Sequence, residues 1–252
     1  LLMACAFLKG ETSLTVNHPG ETPWIDLTLS WFDRLGIAYE NQAYQQYHLL
    51  GYAEINAFDL SIPGDFSSIA FPLVAAIITG SHLVISEVDM QDVQGDKAVV
   101  DVLIKMGADI RYDEKNHRLM VSPVNALCGL EVDVNDFIDA LPILAVVGCF
   151  ATGETILKNA AVARLKESDR INAMATELKK MGADIEARSD GLVIRQSQLR
   201  GIEVESYQDH RIAMSLAVAG LIATGETVVN DVACIDKSYP GFSEMLLGSK
   251  FD

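Results

Sequence analysis

Runs of small apolar residues recur along the chain: "LLMACAFL" at its start, then "SSIAFPLVAAII", "IDALPILAVVGCFA" and "HRIAMSLAVAGLIA". Each is long enough, and rich enough in Ala and Leu, for a buried helix, and a Gly following each reads as the C′ residue that ends it. A β-branched segment comes next every time, "TSLTV", "HLVIS", "TILKN" and "TVVN", and predicts a strand. A second, one-sided helix follows. In the third instance its apolar positions are Ile171, Met174, Leu178 and Met181, the stripe of a helix packed on one face. That helix closes on "KMGADI" at 180–185, as its counterparts close on "KMGADI" at 105–110 and "RLGI" at 34–37, and short strands such as "GLVIRQ" come after.

Helix, Gly turn, strand, helix, strands is therefore a repeat. Its markers "KGETSLTV", "TGSHLVIS", "TGETILKN" and "TGETVVND" begin at Lys9, Thr79, Thr152 and Thr224, about 70 to 75 residues apart. That period suits a compact α/β unit, and the mixture of elements predicts an α/β fold. The fourth copy reaches "KSYPGFSEMLLG", where its second helix is expected. Leu1 falls inside the first helix of the first copy, so the chain is expected to be incomplete at its front.

Composition narrows the partners. The 252 residues are half hydrophobic, ample for a buried core. Nineteen basic residues against thirty-five acidic ones give a net charge of −16. A field of that sign repels nucleic acid and anionic lipid, so neither is expected as a general partner, and an anionic ligand must be held by local Lys and Arg. Cys5, Cys128, Cys149 and Cys234 lie far apart without a CxxC pair, and read as small buried hydrophobes in a reducing compartment rather than as metal ligands. The longest apolar runs fall short of the ~20 residues of a membrane span. No export signal is visible, and a cytoplasmic location is expected.

The candidate chemistry sits at helix starts. Asp65 in "GDFSS", Asp139 in "FIDALP" and Asp209 in "QDHRIAM" each open a first helix. Each reads either as an N-cap or as part of an anion site, where helix N-termini from equivalent units point to one place. The run "RLKESDR" (164–170) opens the one-sided helix of the third unit with Arg164, Lys166 and Arg170, although cations there oppose the helix dipole. Lys166 and Arg170, four residues apart, share one face if the helix begins by Lys166. Arg164 receives no role.

Taken together and in order, "GDFSS", "IDALP", "RLKESDR", "SYQDHRIAM" and "KSYP" make the chain resemble the 5-enolpyruvylshikimate-3-phosphate synthase family, the shikimate-pathway transferases that glyphosate inhibits. The resemblance covers all 252 residues and corresponds to roughly the C-terminal three-fifths of such an enzyme. It implies inside-out α/β barrel domains built from pseudo-threefold repeats of βαβαββ units, with the active site in the cleft between two domains. Residues 1–64 are then the last repeat of the first domain, the "IPGD" turn (62–65) the crossover, and 65–252 most of the second domain.

The implied reaction transfers the enolpyruvyl group of phosphoenolpyruvate to the 5-hydroxyl of shikimate 3-phosphate and releases phosphate, without a metal or cofactor, in a monomer. Both substrates carry a phosphate and a carboxylate, which calls for several cations, and addition followed by elimination calls for a general base and a general acid. By the resemblance, Asp139 contacts the shikimate ring hydroxyls and accepts the proton, and Glu167 donates one. A carboxylate flanked by Lys166 needs burial to serve as that acid. Lys166 bridges the substrates, Arg170 takes the phosphoenolpyruvate carboxylate, and Arg211 and Lys237 supply further cations for the same substrate. His210 stands beside the site, with a structural hydrogen bond as its role; His18, His48, His82 and His117 read as loop or surface residues.

The chain departs from the family pattern in "GETPWID", which puts Glu21 where many members have Ser and Trp24 where they have Tyr, so that Thr22 would make the phosphate contact. Val162 stands where some members have Asn. Two other readings compete: the sibling transferase that acts on UDP-N-acetylglucosamine, and a non-catalytic repeat module. Because the family's N-terminal site residues would lie upstream, the 252-residue stretch alone is expected to be inactive.

Overall fold

The computed structural model describes residues 1–248. The chain forms two compact units, residues 1–63 with 91–95, and residues 64–90 with 96 onward.

In the first unit, helix α1 (Leu2–Ala6), strand β1 (Thr12–Thr15), helix α2 (Thr22–Leu35) and strands β2 (Tyr39–Gln42) and β3 (Gln46–Leu49) follow the repeat order. The strands form an antiparallel sheet in the order β1-β3-β2. Its small core joins Cys5 and Ala6 of α1, Leu29 and Phe32 of α2, and Tyr47 and Leu49 of β3. Gly36 ends α2 in the left-handed conformation expected of "RLGI".

The second unit repeats the order three times. The first pass is α3 (Phe66–Thr79), β4 (Leu83–Ile85), α4 (Ala98–Lys105), β5 (Asp109–Asp113) and β6 (Arg118–Ser122). Next come β7 (Glu131–Asp133), α5 (Leu141–Phe150), β8 (Glu154–Lys158), α6 (Arg170–Lys180), β9 (Asp184–Arg188) and β10 (Gly191–Arg195), a complete βαβαββ unit. The last is β11 (Glu203–Glu205), α7 (His210–Gly220), β12 (Val228–Asn230) and α8 (Phe242–Gly248). The sheets run β4-β6-β5, β7-β8-β10-β9 and β11-β12; β7 pairs with β8, and β11 with β12, in parallel.

Helices α3, α5 and α7 pack against one another and are buried along most of their length, so the helices fill the interior and the sheets lie outside them. Their Ala- and Gly-rich composition permits this. A Cβ on Gly148 in α5 would come within 3.0 Å of Ile194 Cβ on β10, so the helix lies closer to the sheet there than a larger residue allows. Ile171, Met174, Leu178 and Met181 are fully buried, as the stripe predicts.

Three expectations need correction. Of the marker glycines only Gly80 caps its helix; α5 and α7 stop at Phe150 and Gly220, and Gly153 and Gly225 turn the chain at positive φ further on. Cys128 is exposed, held in a short parallel bridge to Thr152, while the other three cysteines are buried. His48 lies half-buried on β3 rather than in a loop. No helix among the described residues is long and apolar enough to cross a membrane.

Candidate active site

The "RLKESDR" run is not the first turn of a helix. Residues Ala161–Leu165 form a 3-10 turn, Lys166 is extended, and α6 starts at Arg170 behind the cap Asp169, whose carboxylate accepts from the Asn172 amide at 3.0 Å. Lys166 and Arg170 therefore share no helical face; they meet because both turn toward Asp139. Arg164, without a role from the sequence, is a clamp. Its guanidinium donates to both Asp169 oxygens (3.0 and 2.8 Å), to the Ser189 carbonyl (2.9 Å) and to the Arg188 carbonyl (2.6 Å), tying the β9–β10 turn to the cap of α6.

Arg170 is the centre of the cluster, with only 1% of its side chain exposed. Nη1 donates to Asp139 Oδ1 at 2.7 Å, Nη2 to Glu167 Oε2 at 2.6 Å and to Asp209 Oδ1 at 3.3 Å, and Nε to Asp209 Oδ2 at 2.8 Å. The cation that stood against the helix dipole is thus neutralised by three carboxylates from three segments. Asp139 in turn faces three cations: Arg170, Arg211 Nη2 at 3.1 Å and Lys166 Nζ at 3.9 Å. Arg211 also donates to Ser67 Oγ at 3.2 Å, joining the N-termini of α7 and α3.

The three aspartates that looked alike in the sequence do different work. Asp65 is an N-cap, accepting from the amides of Ser67 and Ser68. Asp209 caps α7 through the Arg211 amide (2.9 Å) and also receives Arg170 and the Ser168 hydroxyl (3.0 Å). Among the described residues Asp139 caps no helix, and Arg170, Arg211 and Lys166 hold it. Ser67, Ser168 and the ion-pairing side of Asp209 were missed by sequence reasoning. Each lay inside a motif already singled out, but nothing local marks a hydroxyl or a cap as part of a long-range network.

The charges in this cluster balance: Lys166, Arg170 and Arg211 against Asp139, Glu167 and Asp209. Burial by itself would raise the Asp139 carboxyl, but Arg211, Arg170 and Lys166 together outweigh it and hold the group below the usual carboxylate range. Asp209 is likewise lowered, burial being overcome by its bonds to Arg170. Burial first, and then the Arg211 charge, lower His210, which favours its neutral form.

Of the residues named from the sequence, Asp139, Lys166, Glu167, Arg170 and Arg211 come together. Glu167 keeps 49% of its side chain exposed, so the described residues do not supply the burial an acid role calls for. His210 opens α7 next to Arg211, but no described residue hydrogen-bonds its ring, which corrects the structural bond expected of it. Lys237 ends the 3-10 turn Val232–Lys237, which packs on α7, and its exposed side chain pairs with no described residue. Val162 is exposed. In the first unit Glu21 precedes α2 in the left-handed conformation, with Thr22 as the first helical residue and Trp24 partly exposed. No group of three or more His, Cys, Asp or Glu among the described residues is arranged to hold a metal ion.

Comparison with known proteins follows the same lines. The model of the family described as EPSP synthase (3-phosphoshikimate 1-carboxyvinyltransferase) matches residues 1–246. A relative named 3-phosphoshikimate 1-carboxyvinyltransferase in Ruminiclostridium cellulolyticum is 46% identical over 97% of the chain, and one of the same name in Chlamydia caviae is 42% identical over 98%. The chain spans 57% and 55% of the lengths of these two relatives. A solved EPSP synthase from Acinetobacter baumannii superposes with a TM-score of 0.82 at 30% identity, covering 99% of this chain and 59% of that one. With a match from residue 1 to 246 and the inside-out α/β architecture in common, the chain belongs to the EPSP synthase family.

Proposed function

We propose that the protein containing this chain transfers the enolpyruvyl group of phosphoenolpyruvate to the 5-hydroxyl of shikimate 3-phosphate, and that this chain supplies one part of the site. The observation that carries the reading is the convergence of Lys166, Arg170 and Arg211 on one part-buried carboxylate, Asp139. In a chain of net charge −16, such a concentration of cations suits ligands with paired phosphate and carboxylate groups.

The 5-hydroxyl oxygen bonds to the enol carbon of phosphoenolpyruvate, and its proton passes to Asp139. Glu167, once protonated, gives its proton to the terminal methylene carbon. In the second step the Glu167 carboxylate takes a proton back from that carbon, the bond from the adduct carbon to the phosphate oxygen breaks, and phosphate leaves with the proton that Asp139 had accepted. Without ligand, Arg170 is fully occupied by protein carboxylates. Its most exposed partner is Glu167, so an incoming substrate carboxylate takes Nη2 by displacing Glu167 and releases that carboxyl toward the reacting carbon. Substrate anions also compensate the cations around Asp139. Burial, the largest single influence on that group, then raises its basicity when a base is needed. Lys166 and Lys237 add positive charge for the substrates, and His210 lies next to Arg211 as a neutral neighbour.

Residues 1–64 are assigned to the first domain of the enzyme and 65–252 to the second. The protein is assigned to the cytoplasm as a monomer, with two small anionic substrates and neither nucleic acid nor membrane as partner; its strongly acidic composition and its family support this. The family match gives no support to a UDP-sugar acceptor. Phosphate release from phosphoenolpyruvate and shikimate 3-phosphate by the full-length protein tests the function. Release dependent on both substrates is expected, with none from the 252-residue chain alone; a full-length protein that releases no phosphate contradicts the assignment.

A further inference from the structure

A fully buried carboxylate outside the ion cluster lies on α6. Glu177 has no exposed side-chain surface. It accepts from Lys180 Nζ at 2.9 and 2.8 Å, from the Tyr207 hydroxyl at 2.7 Å and from the Glu205 amide at 3.1 Å. The last two partners flank the approach to Asp209, and the intervening chain is unusual. Tyr207 and Gln208 are consecutive residues with side chains in the left-handed region, at φ 55° and 57°. Each such residue with a Cβ carries strain that the surroundings must offset.

Here the restraints can be named. Glu177 holds residues 205 and 207. The Ser206 hydroxyl accepts from the Gln208 amide at 3.1 Å and donates to the Asp231 carbonyl at 3.2 Å, and the Asp209 amide bonds the Ser206 carbonyl at 3.0 Å. The turn then delivers Asp209 to Arg170 and the start of α7, with Arg211, to Asp139. Helix α6 therefore grips this segment twice, through Glu177 at one end and Arg170 at the other.

We propose that Glu177 is a positioning residue for the anion site: by holding Tyr207 it fixes the left-handed turn that sets Asp209, and through it Arg170 and Arg211. Its effect on substrate rests on the function proposed above; its effect on Arg170 does not. Lys180, 42% exposed, neutralises the carboxylate but touches none of the turn, which separates positioning from simple charge pairing.

Glu177→Gln would turn an amide toward Lys180, so the decisive variant is Tyr207→Phe, which removes one hydroxyl from an exposed ring, with Lys180→Ala as the comparison. Two readouts are taken on the full-length protein: solvent exchange of the Arg170 Nε proton by nitrogen-15 NMR, and the Kd for phosphoenolpyruvate. Tyr207→Phe is expected to speed exchange and weaken binding, each roughly tenfold, as for other residues that orient a binding group, while Lys180→Ala changes both by less than about twofold. Unchanged exchange in Tyr207→Phe, or equal acceleration in both variants, overturns the proposal. If the unaltered protein fails to bind phosphoenolpyruvate the function assigned above fails, and exchange alone decides the role of Glu177.

Discussion

At Arg170 the side chain is defined by its partners more than by its charge. Its three nitrogens are divided among Asp139, Glu167 and Asp209, a planar fork that a lysine ammonium cannot reproduce. Arg170→Lys is therefore expected to leave at least one buried carboxylate underpaired and to cost about 3 kcal/mol of unfolding free energy, measured by urea denaturation; a loss below about 1 kcal/mol would show the network to be dispensable. Asp139 and Asp209 are both held below the ordinary Asp value of 3.8 in the folded state, so the stability they contribute is complete above that value and is lost as pH falls below it. Folding stability of the unliganded protein is expected to drop below pH ~4, and Asp139→Asn to remove part of that drop. In the presence of phosphoenolpyruvate the Asp139 carboxylate, followed by infrared titration, should protonate at a higher pH than without it. A shift in the opposite direction would contradict compensation of the cations by substrate.

At the scale of elements, the buried stripe of α6 could be read from the sequence because periodicity is a local signal, and all four of its residues are where the pattern puts them. The start of that helix could not. Charged residues fit a helix and an extended segment equally well, and it is the cap on Asp169, reinforced by Arg164, that sets the boundary at Arg170. The same limit hid the difference between Asp65 and Asp139: both precede an apolar helix, and only charges drawn from distant segments make one a cap and the other the centre of an ion cluster. Arg164→Ala releases the β9–β10 turn from the cap. It is expected to cost about 1–2 kcal/mol by thermal unfolding with little change in phosphoenolpyruvate binding; a large loss of binding with unaltered stability would move Arg164 from clamp to ligand contact.

At the scale of the whole molecule, the repeat made the architecture readable, because each passage of helix, strand, helix and strands recurs as one unit of the pattern, and within the second unit these passages share one core. The interior of the second unit is filled by α3, α5 and α7, whose N-terminal ends bring Ser67, Asp139, Asp209 and Arg211 to one place. Motif recognition supplied Asp139 and Arg211, and the fold added Ser67, the ion-pairing role of Asp209 and the pairing among them. What stayed hidden was that the cations are already balanced by protein carboxylates, so that under the proposed function substrate enters by exchange of partners. In the proposed reaction Asp139 is the proton acceptor beside that exchange. The most direct test is phosphate release by full-length protein carrying Asp139→Asn, followed together with the Kd for phosphoenolpyruvate and the melting temperature. The account predicts that kcat falls by about 10²-fold or more while the protein stays folded and still binds phosphoenolpyruvate. An Asp139→Asn protein that is folded and turns over at the unaltered rate would contradict it.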